Sequence, residues 1–302
     1  WKSIVSPKVS ENGDWICYAI TPQRGDALLE FYNAGTKQTT RIERGGSPAW
    51  FNNDTWATFK IAVPFAKVRQ AKIDKVKADK MPKDTFAVMN LAEMKVVKLP
   101  GAKELKTSAK GALYAYTYEV TPVKDTTVKD SAAKGNKTPG KYDRLVVVDV
   151  RTGDSTVVDS VKNFTVAENG RSVLYTREAD SLKAVYVYTV DPKRGVLQRE
   201  LWSSKLGAVS PSLVLDRSGE QGAFLVTADT VKHALYDLYY FSTTDLKPRQ
   251  VADAQIIGLP GGYAVSRFGN LSFNHEGNRL QFGIAPKPKE VPKDTLPADE
   301  MF

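Results

Sequence analysis

The chain has 302 residues, of which 42% are hydrophobic and 10% aromatic, enough apolar material to bury a large core. This excludes a chain that is disordered throughout. The net charge of +9 would suit a nucleic-acid partner, but five of the nine charges come from one segment, Lys67–Lys83, with seven basic residues against Asp74 and Asp79. That segment has no aromatic residue to stack on bases, and nothing near it matches a nucleic-acid module.

The chain opens Trp1-Lys2-Ser3-Ile4, without the basic-then-apolar pattern of a signal peptide. A processed start of an exported, periplasmic parent is the expectation. Charge-free stretches such as Leu206–Leu215 are well short of the roughly 20 apolar residues needed to span a bilayer, so no membrane span is expected. The single cysteine, Cys17, sits in the β-like run Trp15-Ile16-Cys17-Tyr18 and reads as a small buried apolar residue.

Six copies of one signal follow in chain order. Each is a turn, usually containing Gly, with an aromatic five residues on. They are Glu11-Asn12-Gly13 to Tyr18, Asn52-Asn53-Asp54 to Phe59, Ala109-Lys110-Gly111 to Tyr116, Glu168-Asn169-Gly170 to Tyr175, Arg217-Ser218-Gly219 to Phe224, and His275-Glu276-Gly277 to Phe282. A turn residue tolerant of positive φ reverses the chain, an alternating strand follows, and the aromatic fills space between neighbouring sheets. Ser6-Pro7, Ser47-Pro48 and Ser210-Pro211 precede three of the turns. Proline there suits the start of a short inner strand, where its missing donor does little harm.

A second strand pair follows most anchors. The pairs are Ala27–Tyr32 with Thr39–Ile42, Thr85–Met89 with Lys95–Leu99, Leu145–Asp149 with Ser155–Val158, Val185–Val190 with Val196–Leu201, and Leu235–Phe241 with Arg249–Ala252. Each unit thus reads as four antiparallel strands, a blade. The fold class is all-β, a β-propeller of the WD40 or TolB-like kind over residues 1–302.

The anchors end at residues 13, 54, 111, 170, 219 and 277, so the gaps are 41, 57, 59, 49 and 58 residues. A plain blade takes about 40–45 residues, so the longer gaps require insertions. Two are visible: Lys67–Lys83, which supports a short helix ended by Pro82, and Thr121–Lys141, a flexible loop by composition. The sixth unit holds Leu271–Phe273 and Arg279–Ile284 before a Pro- and Lys-rich run. The count is therefore about five full blades and a half blade, and a chain truncated inside a loop is the expectation.

The residues offer no catalytic, cofactor-binding or metal-binding set. Gly45-Gly46-Ser47-Pro48-Ala49 is the nearest approach to Gly-x-Ser-x-Gly, and it lacks the final Gly. Gly135–Lys141 has the glycine and lysine spacing of a phosphate loop, but Tyr142 stands where Ser or Thr should bind Mg²⁺, and a strand follows instead of a helix. Gly258-Leu259-Pro260-Gly261-Gly262 reads as a loop. The two histidines, His233 and His275, have no metal spacing and read as structural or solvated. Glu11 and Glu168 read as solvated turn residues, and Asp149 and Asp191 as turn caps.

With the repeats placed, the chain resembles the N-terminal propeller of bacterial exported peptidases of the prolyl oligopeptidase family. The resemblance rests on Trp1–Ile4, Val9-Ser10-Glu11-Asn12-Gly13-Asp14-Trp15, Asp54-Thr55-Trp56, and Lys67-Val68-Arg69-Gln70-Ala71-Lys72 leading to Met81-Pro82-Lys83-Asp84-Thr85. It implies a non-catalytic domain that covers a serine-peptidase active site and restricts peptide access. The α/β-hydrolase domain with the Ser-Asp-His triad would lie beyond Phe302. It implies no catalytic residue in this chain, which has no Glu-Glu pair of the dipeptidyl type, and no cofactor. The partner implied is a peptide substrate held by the hydrolase domain. Two other readings stand beside it: a stand-alone TolB-like propeller that binds a protein or peptide, and a propeller glycosidase or lyase with carboxylates in the channel.

Overall fold

The computed structural model describes residues 1–122, 140–191, 195–231, 234–245, 247–253 and 255–287. Five four-stranded antiparallel sheets follow one another along the chain, each with its strands in sequence order. Blade 1 is β1 (Lys2–Val9), β2 (Trp15–Pro22), β3 (Leu28–Asn33) and β4 (Thr39–Glu43). Blade 2 is β5 (Gly45–Phe51), β6 (Trp56–Ile61), β7 (Thr85–Asn90) and β8 (Lys95–Leu99). Blade 3 is β9 (Ala102–Thr107), β10 (Leu113–Val120), β11 (Tyr142–Asp149) and β12 (Ser155–Val158). Blade 4 is β13 (Val161–Val166), β14 (Ser172–Ala179), β15 (Leu182–Asp191) and β16 (Gly195–Ser204). Blade 5 is β17 (Ala208–Leu215), β18 (Gln221–Thr227), β19 (Asp237–Ser242) and β20 (Arg249–Ala252).

The core lies between blades. Phe59 of blade 2 packs on Phe31 of blade 1, with ring centroids 5.8 Å apart. Tyr175 joins Leu145 and Val147 of blade 3, Phe224 joins Leu174 and Val187 of blade 4, and Phe282 packs against Leu225 and Leu238 of blade 5. The aromatic of the repeat therefore faces the preceding blade. Phe59, Tyr175 and Phe224 are fully buried there. Tyr18 in blade 1 is only half-buried, and its hydroxyl donates to Glu30 at 2.7 Å.

Because strand direction alternates, the first and third turns of every blade open on one face and the loops between second and third strands on the other. The Lys-rich insertion lies on that second face. Its helix, α1 (Phe65–Ile73), is followed by a 3-10 turn over Ala78–Lys80. The helix does not run to Pro82. It stops at Asp74, and Lys75 turns the chain with φ of 53°. Within the other expected insertion, residues 123–139 lie outside the described residues.

The Ser-Pro pairs also sit differently from expectation. They do not start the inner strands but break them midway. The β1–β2 ladder shifts register between Val5 and Lys8, the β5–β6 ladder between Gly46 and Ala49, and the β17–β18 ladder between Val209 and Leu213. Ser6 and Ser47 both have φ of 52°. The residue that cannot donate is placed where the ladder is already open, so no sheet bond is lost.

The sixth unit contains β21 (Tyr263–Val265), β22 (Leu271–Phe273), β23 (Leu280–Phe282) and β24 (Ile284–Pro286). They form two ladders, β22 with β23 and β21 with β24. The single strand expected over Arg279–Ile284 is split at Gly283, where the backbone of Gly269 comes so close that a Cβ on either glycine would stand 2.5 Å from the other's Cα.

Candidate site at the mouth of the central channel

The first strands of consecutive blades touch one another, β1 on β5, β9 on β13, β13 on β17 and β17 on β22, so they line the axis. Lysines on these strands reach sideways to the next blade. Lys8 Nζ donates to the Pro48 carbonyl at 2.7 Å, and Lys106 Nζ to the Phe164 carbonyl at 2.5 Å. The anchor turn ends each first strand, and the turns are therefore collected at one mouth.

They are joined hand to hand, through backbone bonds in blades 2 to 5 and through one side chain at each end. Asn52 N donates to Ser108 O and Asn53 N to Ala109 O, linking blades 2 and 3. Lys110 N donates to Glu168 O, and Asn169 N to Arg217 O. Gln221 Nε2 donates to Gly277 O at 2.5 Å, and Glu11 N to Asp54 Oδ2 at 2.6 Å. Gly111 is required by this closeness, since a Cβ there would lie 1.9 Å from Asn169 O. Asp54 stands in blade 2 where most copies carry Gly, with φ of 61°. Its carboxylate binds the blade 1 turn, a function glycine lacks.

Side chains complete the mouth. Lys110 of blade 3 pairs with Glu11 of blade 1, 99 residues away. Arg217 of blade 5 grips Glu168 of blade 4 with two bonds, Nε to Oε2 and Nη2 to Oε1, both 2.5 Å. Its Nη1 meets His275 Nε2 from the sixth unit. The Arg217 guanidinium is raised above its ordinary range by Glu168 first, with Glu11 contributing across the mouth. The Glu168 carboxyl is held below the usual carboxylate range, mainly by its bonds to Arg217, with Lys110 and His275 adding to the effect. Ion pairs thus join blade 3 to blade 1 and blade 5 to blade 4, and Arg217 also reaches the His275 ring of the sixth unit.

The network favours ionised groups. A general acid needs the opposite, a carboxyl kept protonated by burial or a like charge. Glu168 is thus held ionised by Arg217, which does not suit it to the general-acid role of a glycosidase. His275, expected as structural or solvated, is an exposed member of this network. Asp149 caps its turn as expected, accepting from Arg151 N at 2.9 Å. Burial pushes its carboxyl up, but the Arg151 guanidinium and amide outweigh that and bring it below the ordinary range. His233 lies outside the described residues, as do residues 135–139 of the glycine-lysine run, and Tyr142 opens β11. Among the described residues, no group of three His, Cys, Asp or Glu side chains could hold a metal ion.

Sequence reading missed the network because each turn was judged alone. The signal was present in the first column of the aligned turns, Glu11, Asn52, Ala109, Glu168, Arg217 and His275, where charges of both signs accumulate.

A separate cleft of about 440 Å³ opens on the opposite face between blade 5 and the sixth unit. At its edge the Arg267 guanidinium lies 4.6 Å from the centre of the Phe268 ring and 5.6 Å from that of Tyr236, and Nη1 donates to the Tyr236 hydroxyl at 3.2 Å.

Sheet order, interblade core and converging turns define a β-propeller, with five full blades and part of another described. No protein-family model matches the chain, and no curated protein matches it. Solved structures that resemble it include an acylaminoacyl peptidase from Pyrococcus horikoshii, with TM-score 0.40 and 10% identity over 87% of this chain and 42% of that one. The β-propeller domain of the Trilobed protease from Pyrococcus furiosus gives TM-score 0.41 and 11% identity over 88% of this chain and 78% of that one. TolB from Acinetobacter baumannii gives TM-score 0.33 and 12% identity over 82% and 53%. The chain thus spans 42% of the length of the acylaminoacyl peptidase it resembles. Among the described residues, no helix is long and apolar enough to cross a membrane.

Proposed function

We propose that this chain is the non-catalytic propeller of an exported, periplasmic serine peptidase of the prolyl oligopeptidase family, and that it restricts which peptides reach an active site on a further α/β-hydrolase domain. The observation that carries the reading is the channel mouth. Lys110 pairs with Glu11 and Arg217 with Glu168, and Arg217 also contacts His275, so side chains of different blades are tied together on the anchor-turn side. Contacts that tie the turns of different blades to one another support a filtering role, because widening the ring of turns would require separating them. The quoted motifs from Trp1–Ile4 to Met81–Thr85 support the family, and the absence of Gly-x-Ser-x-Gly from the 302 residues supports a chemistry located elsewhere.

The test is covalent labelling with a fluorophosphonate. The 302-residue chain should remain unlabelled and cleave no peptide. The same chain with its natural continuation after Phe302 should be labelled at a single serine. Labelling of the 302-residue chain itself, or a continuation without a reactive serine, overturns the reading.

A stand-alone propeller that binds a peptide or protein is the second reading. The cleft beside Arg267 favours it, since a pocket of this size with mixed polar and apolar walls and a cation at its edge suits a peptide chain.

A further inference from the structure

The Lys-rich insertion is a built surface. Val63 N donates to Asp84 Oδ1 at 3.0 Å, which ties the two ends of the excursion together. Phe65 N donates to Asp26 Oδ1 at 2.7 Å, which fixes the start of α1 to the loop between β2 and β3. Ala71 is buried against the body and sets the rotation of the helix.

With Ala71 inward, the outward side presents Phe65, Arg69, Lys72 and Ile73, spaced i, i+4, i+7 and i+8 and so on one helical face. Phe65 is 41% and Ile73 58% exposed. Two apolar side chains with two cations between them form this face. Beyond it the chain continues through Lys75, Lys77 and Lys80 to Lys83. Among the described residues, none of the seven cations from Lys67 to Lys83 forms an ion pair, whereas the cations of the anchor turns, Lys110 and Arg217, are both paired.

A concentrated positive surface calls for an anionic one, and residue type decides which kind. Lysine is depleted in protein–protein interfaces, and six of the seven cations are lysine. Long lysine stems extend to lipid headgroups while neighbouring Phe and Ile side chains enter the acyl boundary. Clusters of four to eight Lys and Arg beside a membrane suit anionic lipid, and here Arg69 and Lys72 on α1 are continued by Lys75, Lys77, Lys80 and Lys83 on the exposed segment after it.

We infer that the face of α1 carrying Phe65, Arg69, Lys72 and Ile73, together with the lysines up to Lys83, docks the protein peripherally on an anionic bilayer surface. The contact is reversible and electrostatic, and no part of the chain spans the bilayer in it. It does not depend on the proposed peptidase role.

The test is co-sedimentation of the 302-residue chain with vesicles of phosphatidylcholine alone and of phosphatidylcholine with phosphatidylglycerol, at low and high salt. Binding is expected only to the anionic vesicles and only at low salt. Each cation removed near a bilayer should weaken binding roughly fivefold, so an Arg69→Gln, Lys72→Gln, Lys75→Gln variant should lose roughly a hundredfold. A Phe65→Ser, Ile73→Ser variant should also bind less while keeping the salt dependence. These side chains are exposed, so both variants should melt like the parent. Absence of binding to anionic vesicles, equal binding to neutral ones, or unchanged binding by the triple variant overturns the inference. So does preferential binding to poly-glutamate or duplex DNA over the vesicles.

Discussion

Arg217 and Glu168 face each other from the turns of neighbouring blades through two parallel charge-assisted bonds of 2.5 Å. The pair shows how one repeated turn serves two purposes. Its backbone begins a hairpin, and its first side chain reaches the next blade.

The pair has a pH signature. Glu168 titrates below the usual carboxylate range because Arg217 binds its ionised form. A carboxyl lowered in the folded state contributes stability that is present above its unfolded pKa, about 4.3, and is lost as pH falls through the folded value. Glu30, bonded by Tyr18 and Arg41, and Asp159, bonded by Arg144, are lowered too and act in the same direction. Thermal melts should hold steady near neutrality and decline below about pH 4. An Arg217→Gln chain should lose less over that acid range than the parent. Equal acid sensitivity would show that the pair contributes nothing.

The interblade aromatics should differ by position. Phe224 is fully buried between blades 4 and 5, so Phe224→Ala should cost about 3–5 kcal/mol in urea unfolding. Tyr18 occupies the same repeat position but is half-buried, so Tyr18→Ala should cost clearly less. Equal losses would contradict the assignment of the aromatic to the face toward the preceding blade.

Gly111 tests the contact between turns. A methyl group there would overlap Asn169 O at 1.9 Å, and the next nearest atoms, Asn169 C and Gly170 N, are backbone too. Gly111→Ala should destabilise by about 2 kcal/mol or more. By contrast Gly46→Ala, where a Cβ meets nothing within 4 Å, should be nearly neutral. A neutral Gly111→Ala would mean that the turns of blades 3 and 4 do not meet.

Cys17 is buried in β2, and burial pushes its thiol up to about 11. A neutral, inaccessible thiol is a poor nucleophile. Thiol reagents at neutral pH should leave Cys17 unmodified in the folded chain and react stoichiometrically in urea. Fast labelling of the folded chain would contradict the burial of this strand.

Much of this architecture could be read in the sequence because period and turn chemistry are local. The six turn-to-aromatic copies placed β2, β6, β10, β14, β18 and β23, and the boundaries of β8, β12, β20 and β22 coincide with those expected. What could not be read depends on partners far along the chain. The Ser-Pro bulges require knowledge of the ladder opposite Pro7 and Pro48. The helix stops at Asp74 because Lys75 turns the backbone, and Pro82 looked like the stop only because proline is a visible breaker. The ion network was hidden for the same reason, since nothing local to Glu11 announces Lys110.

The anchor turns of blades 1 to 5 converge, and the contact between Glu11 and Lys110 tests that convergence most directly. A Glu11→Cys, Lys110→Cys chain, with Cys17 replaced by Ala, should be joined by a short bis-maleimide when folded. Proteolysis should then leave the fragments around residues 11 and 110 linked, and urea before cross-linking should abolish the product. Absence of an intramolecular cross-link in the folded chain, with both thiols freely alkylated, would contradict the convergence of the turns.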